Sequence, residues 1–143
     1  MIPDIGNAKD LSFKTPYFPD GFQGRCVIDE MRELSGFAGH ALVITLTPET
    51  SNLPDVAVGA QHSWYVSFAT PKQIEWNAPV VKQFMMAAVG AKTEEARNKV
   101  APSITALTNA AVQPNQPMKG TKINLRTQKN QSGSFTKHFF SPV

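Results

Sequence analysis

The sequence predicts a mostly β fold, and three observations carry that prediction. Eleven prolines divide the 143 residues into short segments, which favours strands and loops over long helices. Five of these segments alternate apolar and polar residues with the period of two that a strand requires. Between the third and the fourth, apolar residues recur at helical spacing instead. The hydrophobic fraction of 41% and the charged fraction of 17% are typical of a folded chain of one domain.

The first three strands are expected at residues 22–31, 41–47 and 61–68. The third shows the pattern clearly, because Trp64 alternates with serines and a tyrosine and takes the core face. A hairpin loop at 35–39 is predicted between the first two strands.

Turn-forming residues fill positions 1–20, which are expected to be an extended lead-in. The folded domain is therefore predicted at residues 21–143.

A helical segment follows the third strand. Asn77 is expected as its N-cap, Pro79 as part of its first turn, and Gly90 as its C-terminal glycine. Thr93 is expected to cap a second short helix, and a third is expected over 104–112.

The last two strands, at 121–127 and 134–140, lie in a part of the chain without acids. Residues 1–95 hold all eleven Asp and Glu against seven Lys and Arg, whereas residues 96–143 hold the other seven bases and no acid. A basic surface with no acid to neutralise it favours binding to a polyanion.

The predicted element order is three strands, a helical segment and two strands. A five-stranded OB-like Greek-key barrel has this order and is the predicted fold. Small β-sandwiches and SH3-like barrels give similar orders and remain alternatives. OB barrels bind oligonucleotides across strands 2 and 3 and through the loops that join strands 1–2 and 4–5.

Binding a single strand requires cations for its backbone and flat side chains on which bases stack. Tyr65 is the best stacking candidate because it stands among serines on the polar face of the third strand; packing beneath a loop is the alternative. Phe37 lies in the predicted hairpin loop, and two roles remain open for it: contact with a nucleic acid or capping of the core. Trp64 is expected in the core, and Trp76 is expected to pack against the body of the protein. The predicted nucleic-acid-binding residues are Arg25, Phe37, Tyr65, Lys122, Arg126, Lys129 and Lys137.

Candidates for catalysis are few. The single cysteine, Cys26, lies in a strand and is expected to be a buried thiol. Asp29 and Glu30 point to opposite faces, and the three histidines lack zinc-type spacing. No enzyme, metal or cofactor is therefore expected. The sequence shows no signal peptide or membrane span, so we expect a cytoplasmic protein, in the host cytoplasm if a phage encodes it.

Four stretches carry a likeness to known proteins: GFQGRCVID at 21–29, WYVSF at 64–68, NAPVVKQFMMAAVG at 77–90, and GTKINLRT at 120–127 followed by a KNQSG turn. In layout they resemble a family of small phage replication and recombination proteins, the phage-encoded OB-fold single-stranded-DNA-binding proteins. The resemblance implies a non-catalytic protein that coats single-stranded DNA and forms homo-oligomers or assembles cooperatively on it.

The chain departs from this family at its end. Many single-strand binders end in an acidic tail that recruits partners, whereas this chain ends HFFSPV. Recruitment through such a tail is therefore not expected. A virion or assembly β-barrel that self-associates is the alternative function, since proline-rich loops and threonine-rich outer faces are compatible with it.

Overall fold

The computed structural model describes residues 15–36, 39–133 and 136–143. Its strands form one antiparallel five-stranded sheet in the spatial order β3-β2-β1-β4-β5. The strands are β1 (Gln23–Gly36), β2 (Gly39–Pro48), β3 (His62–Ser67), β4 (Lys122–Lys129) and β5 (Thr136–Pro142). Between β3 and β4 lie α1 (Pro71–Ala88), α2 (Glu94–Val100), a 3-10 turn at Ala101–Ser103 and α3 (Ile104–Ala111). The predicted mostly β class is confirmed, as is the helical segment after the third strand.

β1 is the central strand of the sheet, with β2 on one side and β4 on the other. Its first residues pair with β4 up to Val27, and from Cys26 onward it pairs with β2. The register shifts between Ile28 and Glu30, which adds one residue to β1 at that point. Cys26, Ile28 and Met31 therefore all face the core, although they do not share one alternating pattern.

Beyond Lys122, the first residue of β4, the side chain of Gln116 takes the place of a neighbouring strand along β1. Its Oε1 accepts from the Met31 backbone N–H at 2.8 Å, and its Nε2 donates to the Met31 carbonyl at 2.9 Å. Gln116 has a φ of 44°, a left-handed conformation that is uncommon outside glycine. Both backbone groups of Met31 are thereby satisfied without a strand.

The core centres on three aromatic rings from three elements. Trp64 of β3 lies 4.7 Å from Phe140 of β5 and 5.6 Å from Phe84 of α1, measured between ring centroids. Among the described residues no hydrogen-bonded ladder joins β3 to β5. Side chains rather than backbone therefore connect the two edge strands.

Helix α1 begins at Pro71, earlier than predicted, and the prediction of Asn77 as its N-cap is wrong. Thr70 is the N-cap: its hydroxyl accepts from the Gln73 backbone at 3.2 Å, and the Gln73 side chain accepts from the Thr70 N–H. This is a capping box, which specifies the start of a helix. Asn77 instead donates its side chain to the Ser67 carbonyl at 2.7 Å, and Pro79 lies inside the helix.

The predicted second helix is confirmed, with the Thr93 hydroxyl accepting from the Ala96 N–H. The predicted loop at 35–39 is shorter than expected, because pairing continues from Ser35 with His40 to Gly36 with Gly39. None of the helices that the structure describes has both the length and the apolar character needed to cross a membrane.

Candidate nucleic-acid interface

A groove runs along the open side of the sheet, between β3 and β5. The first half of α1 and residues Tyr17 and Phe18 of the lead-in complete its walls, and its volume is about 930 Å³. The lead-in reaches this place because the Ser63 N–H of β3 donates to the Pro16 carbonyl at 2.8 Å. The buried residues of α1 begin at Val81, so its second half fills the core while its first half stands beside the groove.

Three exposed aromatic side chains line this groove. Tyr17 is 54% exposed, Tyr65 43% and Trp76 57%. In the described ranges, no other Phe, Tyr or Trp is exposed. The exposed aromatic surface of the described chain is thus concentrated in one concave place.

Two of these residues stand on regular elements. Tyr65 lies on the outer face of β3, opposite Val43 of β2, so its predicted exposure is confirmed. Trp76 lies in the second turn of α1, where the Lys72 ammonium sits 5.3 Å from the centre of its ring. The expectation that Trp76 packs is wrong, because the earlier helix start places it beside the groove.

The floor of the groove is formed by the indole of Trp64 and the uncharged imidazole of His138. Trp64, 5% exposed, lies 5.5 Å from the ring of His138 at an interplanar angle of 28°. Burial lowers the pKa of His138 to about 4, against the smaller opposing effects of a Thr136 backbone hydrogen bond and the Asp20 charge. The imidazole is therefore neutral near pH 7. Its Nε2 is buried, with no hydrogen-bond partner in the part of the chain described.

One charged side chain, Lys137 of β5, lines the groove, and no acidic side chain is among its described lining residues. Of the predicted interface residues, the structure therefore brings Tyr65 and Lys137 together. Phe37 lies outside the described residues. Tyr17 and Trp76 were not predicted, although the Thr-Pro-Lys-Gln capping box at 70–73 would have placed Trp76 in a helix.

The other predicted cations lie elsewhere, mainly on the outer face of the sheet. Arg25 of β1 is opposite Asn124 of β4, and Arg126 of β4 is opposite Phe139 of β5. The Arg126 guanidinium stacks on the Phe139 ring at 4.5 Å from its centre, a cation–π contact. Lys122 lies two residues before Asn124 on β4 and therefore on the same face.

Acids from distant parts of the chain neutralise several of these cations. The Glu49 carboxylate contacts the Arg25 Nε at 3.0 Å and the Lys122 Nζ at 3.3 Å. Lys129 lies 4.0 Å from Asp20. The acid-free last third of the sequence therefore does not form an unneutralised basic face.

The single thiol and the potential metal ligands are the remaining reactive groups. Cys26 is fully buried, as predicted, and burial, followed by the charges of Glu49 and Asp29, raises its pKa to about 12. Within the described ranges, no group of three His, Cys, Asp or Glu residues is placed to hold a metal ion.

No model of a known protein family matches the chain, and no curated protein sequence matches it.

Proposed function

We propose that this protein binds single-stranded nucleic acid, with DNA favoured, in the groove between β3 and β5, and that it does so without catalysis. The observation that carries the proposal is the gathering of Tyr17, Tyr65 and Trp76 in one groove beside Lys137. Each base that stacks on an aromatic side chain contributes roughly 1–3 kcal/mol. Exposed aromatic rings are costly to keep in water, so a concave cluster of them favours a binding role.

Single strands fit this groove better than duplexes. In a duplex the faces of the bases are covered by their neighbours, whereas a single strand can present each face to a protein ring. The groove lining supplies exposed rings and one ammonium, and stacking on rings accepts any base, which favours binding without sequence preference.

We propose that the sheet is an OB barrel that is open on one side. An OB barrel closes in the order β1-β2-β3-β5-β4 and back to β1, so opening it between β3 and β5 leaves the observed order β3-β2-β1-β4-β5. The role proposed from the family resemblance is the coating of single strands during phage DNA replication or recombination.

Titration with a fluorescently labelled oligothymidylate tests the proposal. We expect binding at low salt that weakens as salt rises, because phosphate neutralisation releases counterions. Base stacking on Trp76 should also quench tryptophan fluorescence, and a Trp64→Phe variant would leave Trp76 as the only tryptophan.

Absence of single-strand binding at low salt, or equal affinity for a duplex of the same length, would overturn the proposal. Self-association of the protein without nucleic acid, together with either result, would favour the assembly role instead.

A further inference from the structure

Glu49 holds two cations in the way that a phosphate would. Its Oε1 contacts the Arg25 Nε at 3.0 Å, and its Oε2 contacts the Lys122 Nζ at 3.3 Å. Arg25 and Lys122 stand on neighbouring strands, so the carboxylate bridges β1 and β4. Guanidinium and ammonium groups that converge on one anion are the usual ligands of a phosphodiester oxygen.

Arg25, one of these two cations, lines a depression that adjoins the aromatic groove. Phe139 lines that groove and also a second depression of about 970 Å³, whose lining comes from β1, β4, β5, the loop after β2 and Gln83 of α1. Arg25 and Arg126 line the second depression, and Arg126 stacks on Phe139. A strand that leaves the groove past Lys137 therefore meets Phe139, then Arg126, then Arg25.

The backbone around Glu49 is fixed, while its side chain stands at the surface. The N–H groups of Glu49 and Thr50 both donate to the Arg25 carbonyl, at 2.7 and 3.3 Å. Gly24 permits this close approach, since a Cβ there would lie 2.1 Å from the Thr50 carbonyl oxygen. The Glu49 side chain is 29% exposed, and its rotation displaces the carboxylate from both cations.

We propose that the outer face of β1 and β4 carries the phosphate backbone of a strand that extends beyond the aromatic groove. Glu49 occupies one phosphate position there in the free protein and competes with the nucleic acid for Arg25 and Lys122. The inference rests on the proposed function, because it concerns the continuation of the same strand. It assigns Glu49 as a residue that limits affinity for long strands.

The test compares Glu49→Gln with the unchanged protein on oligothymidylates of about five and about fifteen nucleotides, which span the site sizes of single OB folds. For the longer strand we expect affinity to rise about two- to fivefold, the equilibrium equivalent of an exposed ion pair. The logarithmic salt slope should steepen by about 0.7, the contribution of one more phosphate contact on a single strand. The shorter strand, held in the groove, should show no change.

Two further variants separate local competition from net charge. Glu95→Gln makes the same change of charge on α2 and should leave both affinities as they were. Arg25→Ala combined with Glu49→Gln should remove the gain, because it removes a cation that the carboxylate released.

The outcomes distinguish this inference from the function on which it rests. An unchanged affinity of Glu49→Gln for the longer strand, or an equal gain from Glu95→Gln, overturns the inference while leaving groove binding intact. Failure of the unchanged protein to bind either strand overturns the proposed function itself.

Discussion

The aromatic groove and the outer face of β1 and β4 present opposite kinds of surface. The groove combines exposed rings with an uncharged floor and one lysine, Lys137. On the outer face, Arg25 and Lys122 share the carboxylate of Glu49. An exposed ion pair leaves less net attraction for a polyanion than its cations alone. Counting charges along the chain therefore favours the outer face as the binding surface, whereas ring exposure favours the groove that we propose.

Substitutions of the two tryptophans of the groove should differ strongly in their effect on stability, and the Trp64 substitution should have the largest effect of all. Trp64→Ala removes a buried ring packed on Phe84 and Phe140 and should lower the free energy of unfolding by about 3–5 kcal/mol. Trp76→Ala removes an exposed ring and should change it by about 0.5 kcal/mol or less. Urea unfolding followed by circular dichroism measures both, and equal losses would contradict the assignment of floor and wall.

The exposed rings should dominate affinity. Tyr65→Ala and Trp76→Ala should each weaken binding of an oligothymidylate by roughly 1–3 kcal/mol, a factor of about 5 to 150, because each removes a stacking platform. Fluorescence anisotropy measures the change. Ile74→Ala is the matched control: Ile74 is an exposed apolar residue of α1 outside the groove lining, and its loss should not weaken binding.

The half-buried imidazole of His138 should make stability depend on pH. The pKa of His138 is about 4 in the folded protein and has its ordinary value of 6.5 in the unfolded chain, so the unfolded chain takes up the proton first as pH falls. Stability from this group is complete above pH 6.5 and declines towards pH 4, by roughly 2 kcal/mol between pH 7 and pH 5.

Urea unfolding at these two pH values checks the prediction. His138→Gln should reduce the pH dependence, whereas His40→Gln, which changes an exposed histidine on β2, should retain it. A pH dependence that is the same in His138→Gln as in the unchanged protein would exclude His138 as its source.

The smallest expected effect compares lysines of the two surfaces. Lys137→Ala should reduce the logarithmic salt slope of binding to a short strand by about 0.7, because Lys137 lines the groove. Lys122→Ala should leave that slope unchanged, since its ammonium lies outside the groove against Glu49. Salt titrations of both variants measure the difference, with Lys92→Ala, between α1 and α2, as a further control. A larger effect from Lys122→Ala would place even a short strand on the outer face.

Local pattern predicted most of the sheet. Alternation places Leu42, Ile44 and Trp64 in the core and Tyr65 outside, as the structure has them. Alternation works here because neighbouring side chains of a strand point to opposite faces whatever the strand pairs with.

Features that depend on distant contacts could not be predicted in this way. No local rule brings Glu49, after β2, against Lys122 of β4, since that contact follows from how the loop after β2 packs along β1. The groove likewise needs Tyr17, Tyr65 and Trp76 to converge from three separate segments. The start of α1 is a different case, because the capping box at Thr70 is a local signal in the sequence, whereas the Asn77-Ala-Pro motif indicates a later start.

The Gln116 side chain on Met31 has a consequence for behaviour at high concentration. Unpaired backbone groups along a strand edge are a template on which a second chain can add its own strand, the first step of many aggregation reactions. Both groups of Met31 are already occupied, at 2.8 and 2.9 Å, by the amide of a single residue. Gln116 thus blocks the addition of a strand at Met31, where β4 no longer pairs with β1. Edge-to-edge association is disfavoured at this position of the sheet.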